Sequence, residues 1–88
     1  MTDFIEIVFP PNSGVERDVL EDEIEERFPG AVEVTGGGSG NMGSNLDLEI
    51  TGVTGMAFLD ILIPALRNLG VPPGTRCNHA GETRQVYE

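Results

Sequence analysis

Leu46-Asp47-Leu48-Glu49-Ile50 is the cleanest two-residue alternation in this 88-residue chain. Successive side chains of a strand point to opposite faces. Leu46, Leu48 and Ile50 therefore predict a buried face, and Asp47 and Glu49 a wet one. Just upstream, Ala31 to Thr35 repeats the pattern, with Val32 and Val34 inward and Glu33 outward. Between these strands lies Gly36-Gly37-Gly38-Ser39-Gly40-Asn41-Met42-Gly43, expected as a mobile hairpin loop. Four glycines in residues 36–40 are more than a tight hairpin turn requires. The excess suggests close backbone approach or mobility.

Further back, Phe4 to Phe9 reads as a first strand with Ile5, Ile7 and Phe9 on one face. Pro10-Pro11-Asn12 ends it, because proline cannot donate to a ladder. Ser13, with Glu16 three residues on, predicts a capping box. The helix it opens runs to about Phe28 and stops before Pro29-Gly30. Leu20, Ile24 and Phe28 mark its inward line, with Val19 on the flank. Asp18, Glu21, Asp22 and Glu25 form a separate acidic stripe. Each like-charge i,i+4 pair costs about 0.2–0.5 kcal/mol. The helix macrodipole and a Glu23–Arg27 pair offset part of that.

Downstream, Thr54 caps a second helix from Gly55 to about Asn68, and Leu69-Gly70-Val71 followed by Pro72-Pro73-Gly74 ends it. Pro64 lies inside and is expected to kink it by freeing the carbonyl of Asp60. Phe58, Ile61, Leu62, Ala65 and Leu69 make one apolar stripe. Met56, Leu59, Ile63 and Leu66 make another, expected to meet the first helix or to serve as an oligomer interface. Thr75 to Glu88 reads as a last strand, or as a hairpin turning at Ala80-Gly81-Glu82. The resulting order, β-α-β-β-α-β, predicts one α+β domain over residues 1–88. It is expected to be a ferredoxin-like two-layer sandwich, with two helices on one face of an antiparallel sheet.

The charge narrows the function. The chain carries 15 Asp and Glu against five Arg and no Lys, a net of −10. Residues 1–53 hold 12 of the acids and two of the arginines, so the whole excess lies there. A nucleic-acid binder needs a basic footprint, and an anionic membrane would repel this chain. The longest apolar stretch, Met56 to Leu66, is interrupted by Asp60 and Pro64. It falls far short of the roughly 20 residues of a membrane span. Cys77 is the only cysteine, which excludes an intrachain disulfide and makes a reducing cytoplasm the expectation. Acidic Met1-Thr2-Asp3 does not read as a signal peptide.

Few motifs carry chemistry. Gly38-Ser39-Gly40-Asn41-Met42-Gly43 matches G-x-G-x-x-G, but a strand follows where a dinucleotide site needs a helix. Cys77 and His79, two apart on a strand, share a face. A zinc site wants more ligands, and a nucleophile pair wants an orienting group. No catalytic residue, metal or cofactor is therefore assigned. Strand parity puts Glu6, Glu33, Asp47 and Glu49 together on the wet sheet face. Flat sheet spacing disfavours their convergence on a divalent cation. They form either an ordinary solvated face or a docking surface for a cationic protein.

Val34-Thr35-Gly36-Gly37-Gly38, Ser44-Asn45-Leu46-Asp47-Leu48-Glu49-Ile50, the apolar helix and Leu69-Gly70-Val71-Pro72-Pro73-Gly74-Thr75 resemble a pattern of small bacterial single-domain proteins. The resemblance covers roughly half the chain. It implies a stand-alone domain in which the Gly-rich hairpin belongs to the fold, and it carries no activity or catalytic residue. In size and charge the chain also resembles the acidic immunity proteins that neutralise bacterial toxins. The functional expectation is a non-enzymatic inhibitor or immunity-type protein, monomeric or homodimeric, that binds a basic protein. Glu6, Glu33, Asp47 and Glu49 with Asp18, Glu21, Asp22 and Glu25 would meet that partner. The alternatives are a homodimeric module closing Gly38, Ser39, Gly40 and Asn41 over a metabolite, an enzyme for which only Cys77 and His79 are candidates, and a general salt adaptation of the proteome.

Overall fold

Strand β1 spans Thr2–Phe9, and Ile5, Ile7 and Phe9 are buried along it in strict alternation. The computed structural model describes residues 2–10, 17–40 and 43–87, so the Ser13–Glu16 capping box lies outside the described residues. After β1 come α1 (Arg17–Arg27), β2 (Val32–Gly40), β3 (Gly43–Thr51), α2 (Gly55–Leu69), β4 (Arg76–His79) and β5 (Glu82–Gln85). The strands form one sheet in the order β2-β3-β1-β4-β5, antiparallel throughout. The fold is α+β. The expected β-α-β-β-α-β order is corrected by a seventh element, because the tail folds as the hairpin β4–β5. Its two turn residues, Ala80 and Gly81, both have positive φ, 51° and 83°. That is the pattern of a type I′ turn, whose twist matches paired strands.

Register sets the core. Ile5 faces Leu48, and Ile7 faces Leu46 on one side and Cys77 on the other. These residues share the covered face of the sheet with Ile50, Val32 and Phe9, and all are buried. Each fully buried Leu or Ile side chain contributes about 1.5–3 kcal/mol. Helix α2 adds Phe58, Leu59, Leu62 and Leu66. The boundary between its two expected stripes is what faces the sheet. Leu59 and Leu66 are 2% and 0% exposed and Ile63 is half-buried against the core, whereas Met56 and Ile61 are 45% and 54% exposed. Leu59 and Leu66 of the Met56-Leu59-Ile63-Leu66 stripe are thus core, whereas Met56 stays exposed.

Both ends of α2 are closed by local chemistry. The Thr54 hydroxyl accepts from the Ala57 amide at 3.2 Å. At the other end Gly70 is left-handed (φ 79°), and the Val71 amide donates back to the Leu66 carbonyl. That is a Schellman stop. The helix is unbroken across Pro64, which is exposed together with Asp60. Helix α1 carries six acids in 11 residues and is held by Ile24, with Leu20 and Phe28 partly buried. Phe28 meets Phe58 edge-on, with ring centroids 5.0 Å apart. Arg27 donates to Asn68 of α2 at 3.0 Å, and no Arg27–Glu23 ion pair forms among the described residues. A contact to another helix restrains Arg27 where the expected i,i+4 pair would not.

Ala80 is the one non-glycine at positive φ among the described residues. A left-handed alanine costs on the order of 1 kcal/mol, and asparagine tolerates that conformation better. Ala80→Asn should raise the unfolding midpoint by a corresponding amount in urea, with an unchanged m-value.

Candidate functional site

The uncovered face of the sheet collects the polar residues of every strand. Glu6 lies opposite Asp47 across β1–β3, Phe4 opposite Glu49, and Glu33 opposite Glu49 across β2–β3. Glu6, Glu33, Asp47 and Glu49 therefore share one face on three adjacent strands. They include two directly opposed like-charge pairs, which destabilise a sheet. The pairs are treated differently. Asn45 donates to both Glu6 (3.3 Å) and Asp47 (3.4 Å), and Asn78 donates to Glu6 at 2.9 Å. Thr83 of β5 extends the chain by donating to Asn78 at 2.7 Å. Glu6 is thus held between two amides that take the place of a neutralising cation. Glu33 and Glu49 have no side-chain hydrogen-bond or ion-pair partner among the described residues. Phe4, 61% exposed, stands beside Glu49. A shallow depression of about 280 Å³ lies between Glu6, Val8, Asn45 and Arg76.

The Gly-rich segment is a strand, which corrects the expected loop. Gly36 pairs with Asp47, Gly37 with Leu46, Gly38 with Asn45, Ser39 with Ser44 and Gly40 with Gly43. The register shifts between Val34 and Gly36, leaving Thr35 as the extra residue of a bulge. Without that bulge Gly36 would fall in phase with inward Val32 and Val34. With it, Gly36 and Gly38 lie on the uncovered face beside Asp47 and Asn45. A Cβ at Gly36 would stand 3.3 Å from the Asp47 carboxylate. The missing side chains therefore leave Asp47 and Asn45 open towards the sheet edge. No helix follows Gly43, so the dinucleotide geometry is absent, and Asn41 lies outside the described residues.

The α1 stripe lies on the helix layer and is not brought onto the same face. Asp18, Asp22 and Glu25 are exposed and Glu21 is half-buried. Glu25 is not simply solvated. It accepts from the Val34 amide of edge strand β2 at 3.4 Å.

Cys77 and His79 share the covered face of β4 as expected, but they do not bond each other. Cys77 is fully buried beside Ile7, and burial pushes its thiol up to about 12. His79 instead meets Asp3, with Nε2 2.7 Å from Oδ2, and the same oxygen accepts the Gly55 amide at 2.7 Å. The first turn of α2 has no acid of its own. Asp3 thus supplies from β1 the negative charge that a helix N-terminus favours. A Cβ at Gly55 would collide with His79 and Asp3, so this approach requires glycine. The hydrogen bond from His79, then those from the Gly55 and Phe4 amides, hold the Asp3 carboxyl down at about 2, against an ordinary 3.8. Asp3, which motif and composition do not single out, falls in phase with inward Ile5, Ile7 and Phe9. A carboxylate in that phase was the available signal.

Among the described residues no three His, Cys, Asp or Glu side chains gather as metal ligands, and no helix is long and apolar enough to cross a membrane. No protein-family model matches the chain, and no curated protein or solved structure is significantly similar to it.

Two outcomes are expected. Because the folded-state value of Asp3 is depressed, its stabilising contribution is complete above about pH 4 and is lost as pH falls towards 2. Asp3→Asn should flatten the acid limb of a melting-temperature profile over that window, and an unchanged limb would contradict the Asp3–His79–Gly55 contact. Glu33→Gln relieves a like-charge pair and should stabilise the fold by about 0.3 kcal/mol at low salt, with the gain shrinking as salt is added.

Proposed function

We propose that this chain is a non-enzymatic binding protein of the inhibitor or immunity type, which docks a cationic protein on the uncovered face of its sheet. One observation carries the reading. Glu33 and Glu49 stand directly opposite each other, unneutralised, two residues along from Asp47. A neutral Thr or Gln at these positions would remove the repulsion at no cost to the core. A partner's Arg or Lys placed there gains three carboxylates already gathered on one face and offsets the repulsion. Complementarity of this kind raises association rate and specificity and weakens with salt. On a partner built to bind anions, the carboxylates would take the place of phosphates. The strand order β2-β3-β1-β4 supports reading the first six elements as a ferredoxin-like sandwich with β5 added at its edge.

The test is co-purification from the native host at low and at high salt, using the natural chain and the E33K/D47K/E49K variant. Glu6 is left in place because it anchors the amide network. A basic protein retained by the natural chain at low salt, released at high salt and lost in the variant supports the proposal. Retention unaffected by the reversal, with the fold intact by circular dichroism, would sink it. A D18K/D22K variant tells whether the helix stripe contributes.

A further inference from the structure

A second surface has the opposite sign. A cleft of about 340 Å³ lies between α2 and β5, lined by Ile63, Arg67, Thr83, Arg84 and Gln85. Asp60, Ile63 and Arg67 recur at i, i+3 and i+7 and so share one face of α2. Arg84 sits opposite Cys77 and points to the covered side of the sheet, towards that helix face. Arg67 is fixed by its Nε, which donates to the Val86 carbonyl at 2.6 Å. Its two η nitrogens have no partner among the described residues. Arg84 reaches Asp60 only at 3.4 Å, and the two side chains are 41% and 75% exposed. So long and exposed an ion pair contributes little. It leaves most of the Arg84 guanidinium free as well.

Two guanidiniums in one concavity, on a chain of net −10, are forked donors suited to an oxyanion. Half-buried Ile63 adds an apolar wall, and the volume falls in the lower range of small-molecule sites. We infer that this cleft binds a small metabolite through a carboxylate or phosphate group, with Arg84 and the η nitrogens of Arg67 as donors and Ile63 against its carbon skeleton. Asp60 competes with the ligand for Arg84. The inference does not depend on the docking surface, which lies on the other side of the sheet and carries the other sign.

The experiment is an amide-resolved NMR titration of the whole chain with inorganic phosphate and, separately, with acetate. Ionic strength is held constant with chloride. Saturable shifts confined to residues 60–67 and 82–86 are expected, and the anion that saturates first separates a phosphate ligand from a carboxylate one. Arg84→Gln should weaken binding at least tenfold, and this substitution spares the Arg67–Val86 anchor. Asp60→Asn should tighten binding several-fold, an effect that a purely structural ion pair would not produce. Shifts matched by chloride alone, shifts unaltered in Arg84→Gln, or weaker binding in Asp60→Asn would overturn the inference.

Discussion

Strand β1 is hydrogen-bonded on both sides, to β3 over its whole length and to β4 through Glu6, Ile7 and Val8. Everything else depends on the register of that strand. Side chains alternate with period two, so a slip of one residue would send Ile5, Ile7 and Phe9 to water and bring Glu6 and Val8 inside. Five buried apolar residues, Ile5, Ile7, Leu46, Leu48 and Cys77, face one another across these ladders, and the helices have somewhere to pack only because they do. Asp3 reinforces the same register from the end of the strand. Its carboxylate ties β1 to β4 through His79 and to the start of α2 through the Gly55 amide. One side chain thereby links three elements and completes a helix N-terminus that has no acid of its own.

The same register concentrates charge on the other face. Each inward hydrophobe on β1 and β3 is preceded by an outward residue, and on β3 those are Asn45, Asp47 and Glu49. The chain neutralises only part of this accumulation, and it does so with amides. Asn45 and Asn78 hold Glu6, whereas Glu33 and Glu49 oppose each other with nothing between them. Three arginines lie away from this face. Arg27 joins the helices, and Arg67 and Arg84 face each other's surroundings across the α2–β5 cleft. The uncovered face is therefore predominantly acidic, with Arg76 beside Glu6, on a small domain of 88 residues and net −10.

Much of the fold was legible because burial imposes periodicity. The alternation from Leu46 to Ile50, the Thr54 cap and the Gly70 stop each specify a local geometry without help from the rest of the molecule. The outward positions of Glu6, Glu33, Asp47 and Glu49 follow from parity alone. Other features were not legible. Gly36 to Gly40 looked like a loop, since glycine has no side chain with which to signal a strand. Leu59 and Leu66 looked available to a partner, since a helix with two apolar stripes does not say which of them meets a sheet. The role of Cys77 and His79 turned on which residues lie across the ladder, and spacing in the chain is silent on that.

The amino-acid sequence by itself determined the class of the fold, the ends of the second helix, the wet and dry faces of the strands and the placing of the charge in the first 53 residues. These follow from interactions between residues near one another in the chain. The tertiary structure alone decided the pairing of β2 with β3 through the glycines, the bulge at Thr35 that turns Gly36 towards Asp47, the Asp3–His79–Gly55 contact and the two-arginine cleft. Each joins groups from separate elements. Their meeting depends on sheet register and helix placement, which are set by the packing of the whole core.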